Sequence, residues 1–229
     1  AVVLSKLPLT VGGTTVNRYC SSGLQTISMA AGQIMAGCYD TVIAGGVESI
    51  SMVQPKMNLD NFVNPKINEN NPGIYFPMGT TAEVVAKRYN VSRESQDEYS
   101  LQSQLRTAEA QEAGRYDDEI VPMKTQMLLT NKETGEQKVV DAECVKDVCN
   151  RPTTTMEGLS ALKPVFDENG SVTAGNSSQM SDGASITLVM SEDKALELGL
   201  KPKAYFRGFT TVGCNPDEMG IGPVFAIPK

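Results

Sequence analysis

Cys20 is the residue with the clearest capacity for covalent chemistry in this sequence. It lies in the segment Asn17 to Leu24 (NRYCSSGL), directly before a predicted helix. Unpaired amides and the positive end of the dipole at a helix N-terminus favour the thiolate, which is the nucleophilic form of cysteine. The three residues after Cys20 are small, so a bulky acyl group could approach. On local context alone a structural cysteine stays the leading alternative, because small thiols often pack into a core.

The other titratable residues restrict the chemistry that is possible. The sequence has no histidine, so acid–base catalysis within it would depend on Cys, Glu, Asp, Lys or Tyr. The five cysteines are scattered, which favours reduced thiols and a cytosol-like compartment: Cys20, Cys38, Cys144, Cys149 and Cys214. No His is present to complete a ligand set, so we expect no metal site.

A second candidate is the segment Val172 to Gly183 (VTAGNSSQMSDG), which is rich in glycine and small polar residues. Its backbone could approach a polar ligand closely, although a tight loop between two elements is the simpler interpretation. It lacks the Gly-Lys-Ser/Thr ending of a phosphate-binding P-loop. The net charge of -7 argues against a nucleic-acid surface. No apolar run approaches the roughly 20 residues of a membrane span.

The elements around these candidates can be predicted from hydrophobic period and turn residues. Helices are expected over residues 20–36 and 80–114, with Thr80 or Thr81 capping the first helix of the second region. Residues 50–77 lack any period, and 119–145 indicate a β-hairpin. Short strands are expected in three places: residues 40–46, Ile186 to Met190, and Tyr205 to Val212. Further short helices are expected over Ser191 to Leu198 and from residue 220. This alternation is typical of an α/β protein.

Several segments, in order and at matching spacing, resemble those of the thiolase family. They are NRYCSSGL (17–24), AGGVESIS (44–51), MGTTAE (78–83), DEIVP (118–122), VTAGNSS (172–178), SDGA (181–184) and MGIGP (219–223). The resemblance covers essentially the whole chain. It changes the interpretation of Cys20 from one possibility among several to the expected nucleophile.

The resemblance implies a layered αβαβα fold with an inserted loop domain, incomplete in this chain. Residues 1–49 and 180–201 would belong to the N-terminal half, 50–179 to the loop domain with the segments that bind coenzyme A, and 202–229 to the start of the C-terminal half. The absence of Met at position 1 suggests that the chain begins within a longer gene product.

The resemblance also implies the reaction and the residues that take part. Cys20 would attack the keto carbon of a 3-ketoacyl-CoA, acetyl-CoA would leave, and a second CoA would accept the acyl group from sulfur. The Cys20 amide would contribute to an oxyanion hole. Coenzyme A, a substrate and not a bound cofactor, would contact five further residues: Met78, Arg151, Phe166, Ala174 and Ser178. Without the resemblance, Met78 and Phe166 would be assigned to the core and Arg151 to a solvated loop.

Three family features are not found in these 229 residues: an activating His, a second Cys before a glycine-rich run, and an Asn that places a water. We therefore expect the chain alone not to turn over, and a non-catalytic CoA-binding fragment is one alternative. Pro77 stands where biosynthetic members have His, which favours a degradative 3-ketoacyl-CoA thiolase of β-oxidation. An acetoacetyl-CoA thiolase is the other alternative. Family membership further implies a homodimer or homotetramer, cytoplasmic in a bacterium and peroxisomal or mitochondrial in a eukaryote.

Overall fold

The computed structural model describes all 229 residues. The backbone divides into two compact units, which are described separately. The first unit comprises residues 1–62, 180–212 and 229, and the second comprises residues 63–179 and 213–228.

Eight α-helices and four strands follow one another along the chain. In order they are α1 (Ser22–Met35), β1 (Thr41–Glu48), α2 (Ile50–Val53), α3 (Pro65–Asn70), α4 (Met78–Arg88), α5 (Arg93–Glu112), β2 (Met123–Thr130), β3 (Gln137–Cys144), α6 (Met156–Ser160), β4 (Gly183–Met190), α7 (Glu192–Glu197) and α8 (Gly222–Ala226). Four short 3-10 segments accompany them, at Tyr19–Ser21, Gln54–Lys56, Pro72–Tyr75 and Pro216–Ile221.

The first unit is an antiparallel two-stranded ribbon with a helix packed against it. β1 pairs with β4 from Thr41 opposite Met190 to Glu48 opposite Gly183. α1 contacts both strands, and its buried Ala30 and Ala31 let the helix approach closely. Gly37, with φ of +73°, ends the helix in the left-handed conformation that glycine adopts without steric cost.

The second unit contains the longest helices and the hairpin. α5 begins at Ser92, whose hydroxyl accepts a hydrogen bond from the Ser95 amide, and it ends before Gly114, where φ is +66°. β2 and β3 form the predicted hairpin, closed by a turn in which the Gly135 amide donates to the Asn131 carbonyl. Most of the buried side chains here are polar, namely Thr81, Asp97, Thr173 and Glu218 beside Leu159 and Val172.

Three predictions from the sequence need correction. Residues 50–77 are not uniformly irregular, since α2, α3 and two 3-10 turns lie there, each too short to produce a hydrophobic period. Neither Thr80 nor Thr81 caps α4. Pro77 is the N-cap, and the buried Thr81 hydroxyl donates to the Met78 carbonyl inside the helix.

The third correction concerns residues 205–212, which form no strand. The composition of the segment suits an extended conformation. A strand exists only where a neighbour completes its hydrogen-bonded ladder, however, and β1 and β4 pair only with each other.

None of the helices is both long enough and apolar enough to cross a bilayer.

Candidate active site

Cys20 is exposed and lies in the 3-10 turn Tyr19–Ser21, which runs directly into α1. The structure therefore places this thiol where the sequence predicts it, beside the amino end of a 14-residue helix. The helix dipole and the unpaired amides of that end favour negative charge at this position. None of the other four cysteines occupies an equivalent position, although Cys38, Cys144 and Cys149 are also exposed.

The backbone before Cys20 is held in a strained conformation. Tyr19 has φ of +48°, the left-handed region that non-glycine residues rarely adopt. Hydrogen bonds on either side maintain it: the Tyr19 amide donates to Asn17 Oδ1 at 2.8 Å, and the Ser22 hydroxyl donates to the Tyr19 carbonyl at 2.7 Å. The same hydroxyl accepts from the Arg18 amide at 2.8 Å. Short-range polar contacts thus fix the turn that presents the thiol.

The amide of Cys20 makes no hydrogen bond within the chain, whereas that of Ser21 donates to the Arg18 carbonyl and that of Ser22 to Tyr19. An unengaged amide beside an exposed thiol is the donor that an oxyanion hole requires. This turn can therefore supply a nucleophile and a hydrogen-bond donor from one residue.

The five residues expected to contact coenzyme A all belong to the second unit, whereas Cys20 belongs to the first. Ala174 and Ser178 are exposed on the loop that follows the buried pair Val172 and Thr173. That loop is closed on itself, because the Thr173 amide donates to Asn176 Oδ1 at 2.8 Å and the Thr173 hydroxyl accepts from the Asn176 amide at 3.3 Å.

Glu83 on α4 holds the start of the same loop. Its carboxylate accepts from the Ser171 amide at 2.9 Å, from the Ser171 hydroxyl at 3.1 Å and from the Val172 amide at 2.7 Å. Backbone donors on a carboxylate are strong, directional contacts. The loop is therefore fastened to α4 at the point where it begins to expose Ala174.

Asp97 on α5 holds the middle of the loop and is fully buried. Arg93 Nε donates to its Oδ2 at 2.7 Å, and Asn176 Nδ2 donates to its Oδ1 at 3.0 Å. No pattern in the sequence assigns Asp97, Arg93 or Asn176 to this role. Only the Arg93–Asp97 spacing of four residues on one helix could have indicated a pair.

Phe166 packs at the amino end of α4, the helix that begins at Met78. A Cβ on Gly79 would overlap the Phe166 ring, so the ring packs directly on the helix backbone next to Met78. Both side chains remain about half exposed, 48% for Phe166 and 54% for Met78. Neither is a core residue in this structure, and each exposes apolar surface that a ligand could contact.

Arg151 is exposed, and its guanidinium has no hydrogen bond or ion pair within the chain. Its backbone is held instead: the Arg151 amide donates to Gln104 Oε1 at 2.8 Å, and its carbonyl accepts from the Thr154 hydroxyl at 2.7 Å. A fixed backbone with an unpaired guanidinium suits a residue that binds phosphate.

A polar cluster holds the segment 215–218 against α4. Arg88 pairs with Asp217 at 2.7 Å and with the buried Glu218 at 2.6 Å, and the Tyr89 hydroxyl donates to Glu218 at 2.9 Å. Hydrogen bonds from Arg88 lower the pKa of both carboxyls. Hydrogen bonding to Glu218 raises the pKa of Tyr89. This cluster fixes the segment that leads into Met219 to Pro223.

No three Cys, Asp or Glu side chains come together in an arrangement that could hold a metal ion. The groups described above offer a thiol, an amide donor and a set of polar and apolar ligand contacts.

Comparison with known proteins identifies the class. A family described as "Thiolase, N-terminal domain" matches residues 1–193. Because the match covers most of the chain, the chain belongs to the thiolase family, and its α/β architecture is part of the thiolase fold. The structure resembles that of the dimeric peroxisomal thiolase of Saccharomyces cerevisiae with a TM-score of 0.84 at 33% identity, over 99% of this chain and 55% of that one.

Particular relatives carry more specific names. The chain is 49% identical to a 3-ketoacyl-CoA thiolase of Bacillus subtilis, over 99% of this chain and 57% of the relative. It is 46% identical to the peroxisomal 3-ketoacyl-CoA thiolase B of Mus musculus, over 100% of this chain and 53% of the relative. It is also 42% identical to an acetyl-CoA acetyltransferase of Chromobacterium violaceum, over 100% of this chain and 59% of the relative. The chain thus spans little more than half the length of these relatives.

Proposed function

We propose that this protein is a 3-ketoacyl-CoA thiolase, an acyltransferase of fatty acid β-oxidation that acts through an acyl-Cys20 intermediate. The observation that carries the proposal is the turn at Cys20, where an exposed thiol and a free amide stand at the amino end of α1. The names of the relatives from Bacillus subtilis and Mus musculus support the choice of substrate class.

The proposed reaction has two halves. The Cys20 thiolate attacks the C3 keto carbon of a 3-ketoacyl-CoA, and the Cys20 amide stabilises the negative charge on oxygen. The C2–C3 bond then breaks, its electron pair stays with C2, and C2 takes up a proton to give acetyl-CoA. In the second half the thiolate of another CoA attacks the acyl-cysteine thioester, and the Cys20 thiolate leaves and regains a proton.

Coenzyme A is the proposed substrate of the second unit. Arg151 would pair with the phosphates, Ala174 and Ser178 would line the pantetheine, and Met78 and Phe166 would form the apolar wall near the thioester. Support comes from the exposure of all five residues and from the free guanidinium of Arg151. We propose no metal and no covalently bound cofactor.

We propose that residues 63–179 of the second unit belong to the inserted loop domain, which the resemblance places at residues 50–179. Residues 1–49 and 180–201 would then be the first α/β half, and 202–229 would begin the other half. Limited proteolysis with mass spectrometry would test these bounds.

The test uses protein expressed from its complete reading frame. The assay measures CoA-dependent cleavage of 3-ketoacyl-CoAs whose acyl chains range from about four to sixteen carbons. Cys20→Ser should lose activity by about a thousandfold or more, because a hydroxyl at this site is a far weaker nucleophile than a thiolate. Stopping the wild-type reaction with acid should reveal an acyl group on the peptide that contains Cys20. Full activity in Cys20→Ser would contradict the proposal.

The Chromobacterium violaceum relative supports a second candidate, an acetyl-CoA acetyltransferase that acts on acetoacetyl-CoA. The same assay separates the two. A kcat/KM that rises with chain length supports the degradative enzyme, whereas preference for acetoacetyl-CoA supports the acetyltransferase.

A third candidate, a non-catalytic CoA-binding protein, is favoured by the absence of His from these 229 residues. It predicts that the protein binds CoA in a calorimeter without transferring an acyl group. Thiolysis by the isolated 229-residue chain would exclude it.

The proposed assembly is a homodimer, because the solved relative from Saccharomyces cerevisiae is described as dimeric. A homotetramer is the alternative, and the mass of the assembly in solution decides between them. The relatives include bacterial and peroxisomal proteins. The corresponding compartments would be the cytoplasm of a bacterium and the peroxisome, or the mitochondrion, of a eukaryote.

A further inference from the structure

One face of α5 carries a stripe of polar side chains that reach other segments. Arg93, Asp97, Gln104 and Gln111 lie within about 40° of one another around the helix axis, since each residue turns the helix by about 100°. All four make long-range hydrogen bonds. The helix therefore packs through a polar stripe where most helices bury an apolar one.

The amino-terminal half of the stripe holds the loop that carries Ala174 and Ser178. Asp97 binds Asn176 at 3.0 Å, and Asn176 Nδ2 also donates to the Ser171 carbonyl at 2.9 Å. Arg93 Nη2 donates to the carbonyls of Leu159 at 2.7 Å and Leu162 at 3.0 Å. Asp97 has no exposed surface, so these contacts form without competition from water.

The carboxyl-terminal half of the stripe holds the segment that carries Arg151. Gln104 Oε1 accepts from the Arg151 amide and from Asn150 Nδ2, both at 2.8 Å, and the Gln104 carbonyl accepts from Asn150 Nδ2 at 2.9 Å. About two turns further on, Gln111 Nε2 donates to the Asp147 carbonyl at 3.2 Å. Gln104 therefore holds the backbone of Arg151 in position.

We propose that α5 is the positioning element of the CoA site, with Asp97 and Gln104 as positioning residues that set the spacing between the pantetheine loop and Arg151. The two residues are seven positions apart, about 10 Å along the helix axis. This inference rests on the proposed function. Neither residue needs to touch the ligand, because each acts through the segment that it holds.

A polar stripe fixes the position of a packed segment along the helix axis. Apolar contacts allow one element to slide on another, whereas a directional hydrogen bond to a single group is lost after a shift of about an ångström. A ligand that is gripped at both ends requires a fixed distance between its contacts, and two such bonds on one rigid helix provide it.

The test compares two acceptor thiols in the second half-reaction: CoA, which has the phosphates, and pantetheine, which lacks them. Gln104→Leu should raise the KM for CoA by roughly tenfold, the scale of one charge-assisted contact. It should leave the KM for pantetheine and the kcat unchanged, because it loosens only the segment that carries Asn150 and Arg151. In an Arg151→Ala background, Gln104→Leu should have no further effect on the KM for CoA.

Asp97→Asn should raise the KM for both thiols, because it loosens the loop that lines the shared pantetheine portion. The matched control is Gln102→Leu, the same substitution on the opposite, exposed side of α5, which should change neither constant. If Gln104→Leu does not fold, Gln104→Asn replaces it, since the shorter amide keeps its polarity but does not reach the Arg151 amide.

An equal rise for CoA and pantetheine in the Gln104 variant would overturn the proposal, and so would full additivity with Arg151→Ala. Failure of the proposed function is a different result: wild-type protein would then not cleave 3-ketoacyl-CoAs, before any variant is compared.

Discussion

At the scale of single residues, the turn around Cys20 links backbone strain to reactivity. Tyr19 holds its left-handed backbone through the Asn17 and Ser22 contacts, and this geometry leaves the Cys20 amide free beside an exposed sulfur. Strain of this kind is retained where the surroundings over-determine it, and it is frequent at functional sites.

Cys20 should be the first of the five cysteines to react with an alkylating reagent. The thiol is exposed and adjacent to the amino end of α1, where unpaired amides and the helix dipole attract negative charge. Limited treatment with iodoacetamide followed by peptide mapping should find Cys20 carbamidomethylated several-fold faster than the exposed Cys38 and Cys149. These two thiols are the internal controls for exposure alone, and earlier modification of Cys38 or Cys214 would contradict the prediction.

The sequence predicts the position of Cys20 but not the conformation of Tyr19. A small, polar run before a helical period is a local signal. The left-handed backbone of Tyr19 has no such signal. Tyrosine does not favour this conformation, and the contacts that hold it follow no pattern that can be recognised in the sequence. Asp97 was missed for a related reason: its partner Asn176 lies 79 residues away.

At the scale of elements, the amino end of α4 combines a helix start with an aromatic wall. Phe166 packs on Gly79 with no room for a side chain between them. Glycine normally weakens a helix by roughly 1 kcal/mol relative to alanine, so its presence here requires a packing reason.

Gly79→Ala should displace the Phe166 ring and weaken CoA binding by about tenfold or more, the scale expected for a misplaced apolar wall. Any gain in helix propensity should be cancelled by the lost ring contact, so the midpoint of thermal unfolding should not rise. In a Phe166→Ala background the clash is absent, and the same substitution should raise that midpoint by a few degrees. A rise of equal size in both backgrounds would show that the ring does not pack on Gly79.

The elements that the sequence predicts well are those that depend on local rules. α1, α5 and the β2–β3 hairpin follow from caps, glycine stops and a turn at residues 131–135. The expected strand at 205–212 depended on pairing, which composition does not encode. α5 was predicted as a helix, but its packing face was not, because that face is polar and leaves no apolar period.

At the scale of the whole molecule, the chain consists of two units of different character. The first buries small apolar residues between helix and ribbon, namely Ala30, Ala31 and Ala44. The second buries several polar and charged groups, which must be paired to be tolerated. Its stability should therefore depend on protonation more strongly.

The Arg88 cluster determines the direction of that dependence. The pKa values of Asp217 and Glu218 are lowered from their ordinary 3.8 and 4.5, chiefly by hydrogen bonds from Arg88. A carboxyl whose pKa is lower in the folded state stabilises that state at pH values above its unfolded pKa. This contribution decreases as pH falls below the unfolded values and is lost once the folded pKa is passed.

Arg88→Met should therefore lower the midpoint of thermal unfolding by several degrees at pH 7 and flatten its fall with acid. In wild type the midpoint should hold from pH 7 to about 5 and then drop as pH approaches the ordinary carboxyl values. The variant starts lower and loses less over the same interval, because its carboxyls have no cationic partner to lose. Lys87→Met is the matched control, since Lys87 is the neighbouring cation on α4 and forms no ion pair. Parallel acid profiles for wild type and Arg88→Met would show that this cluster does not govern the acid sensitivity of the fold.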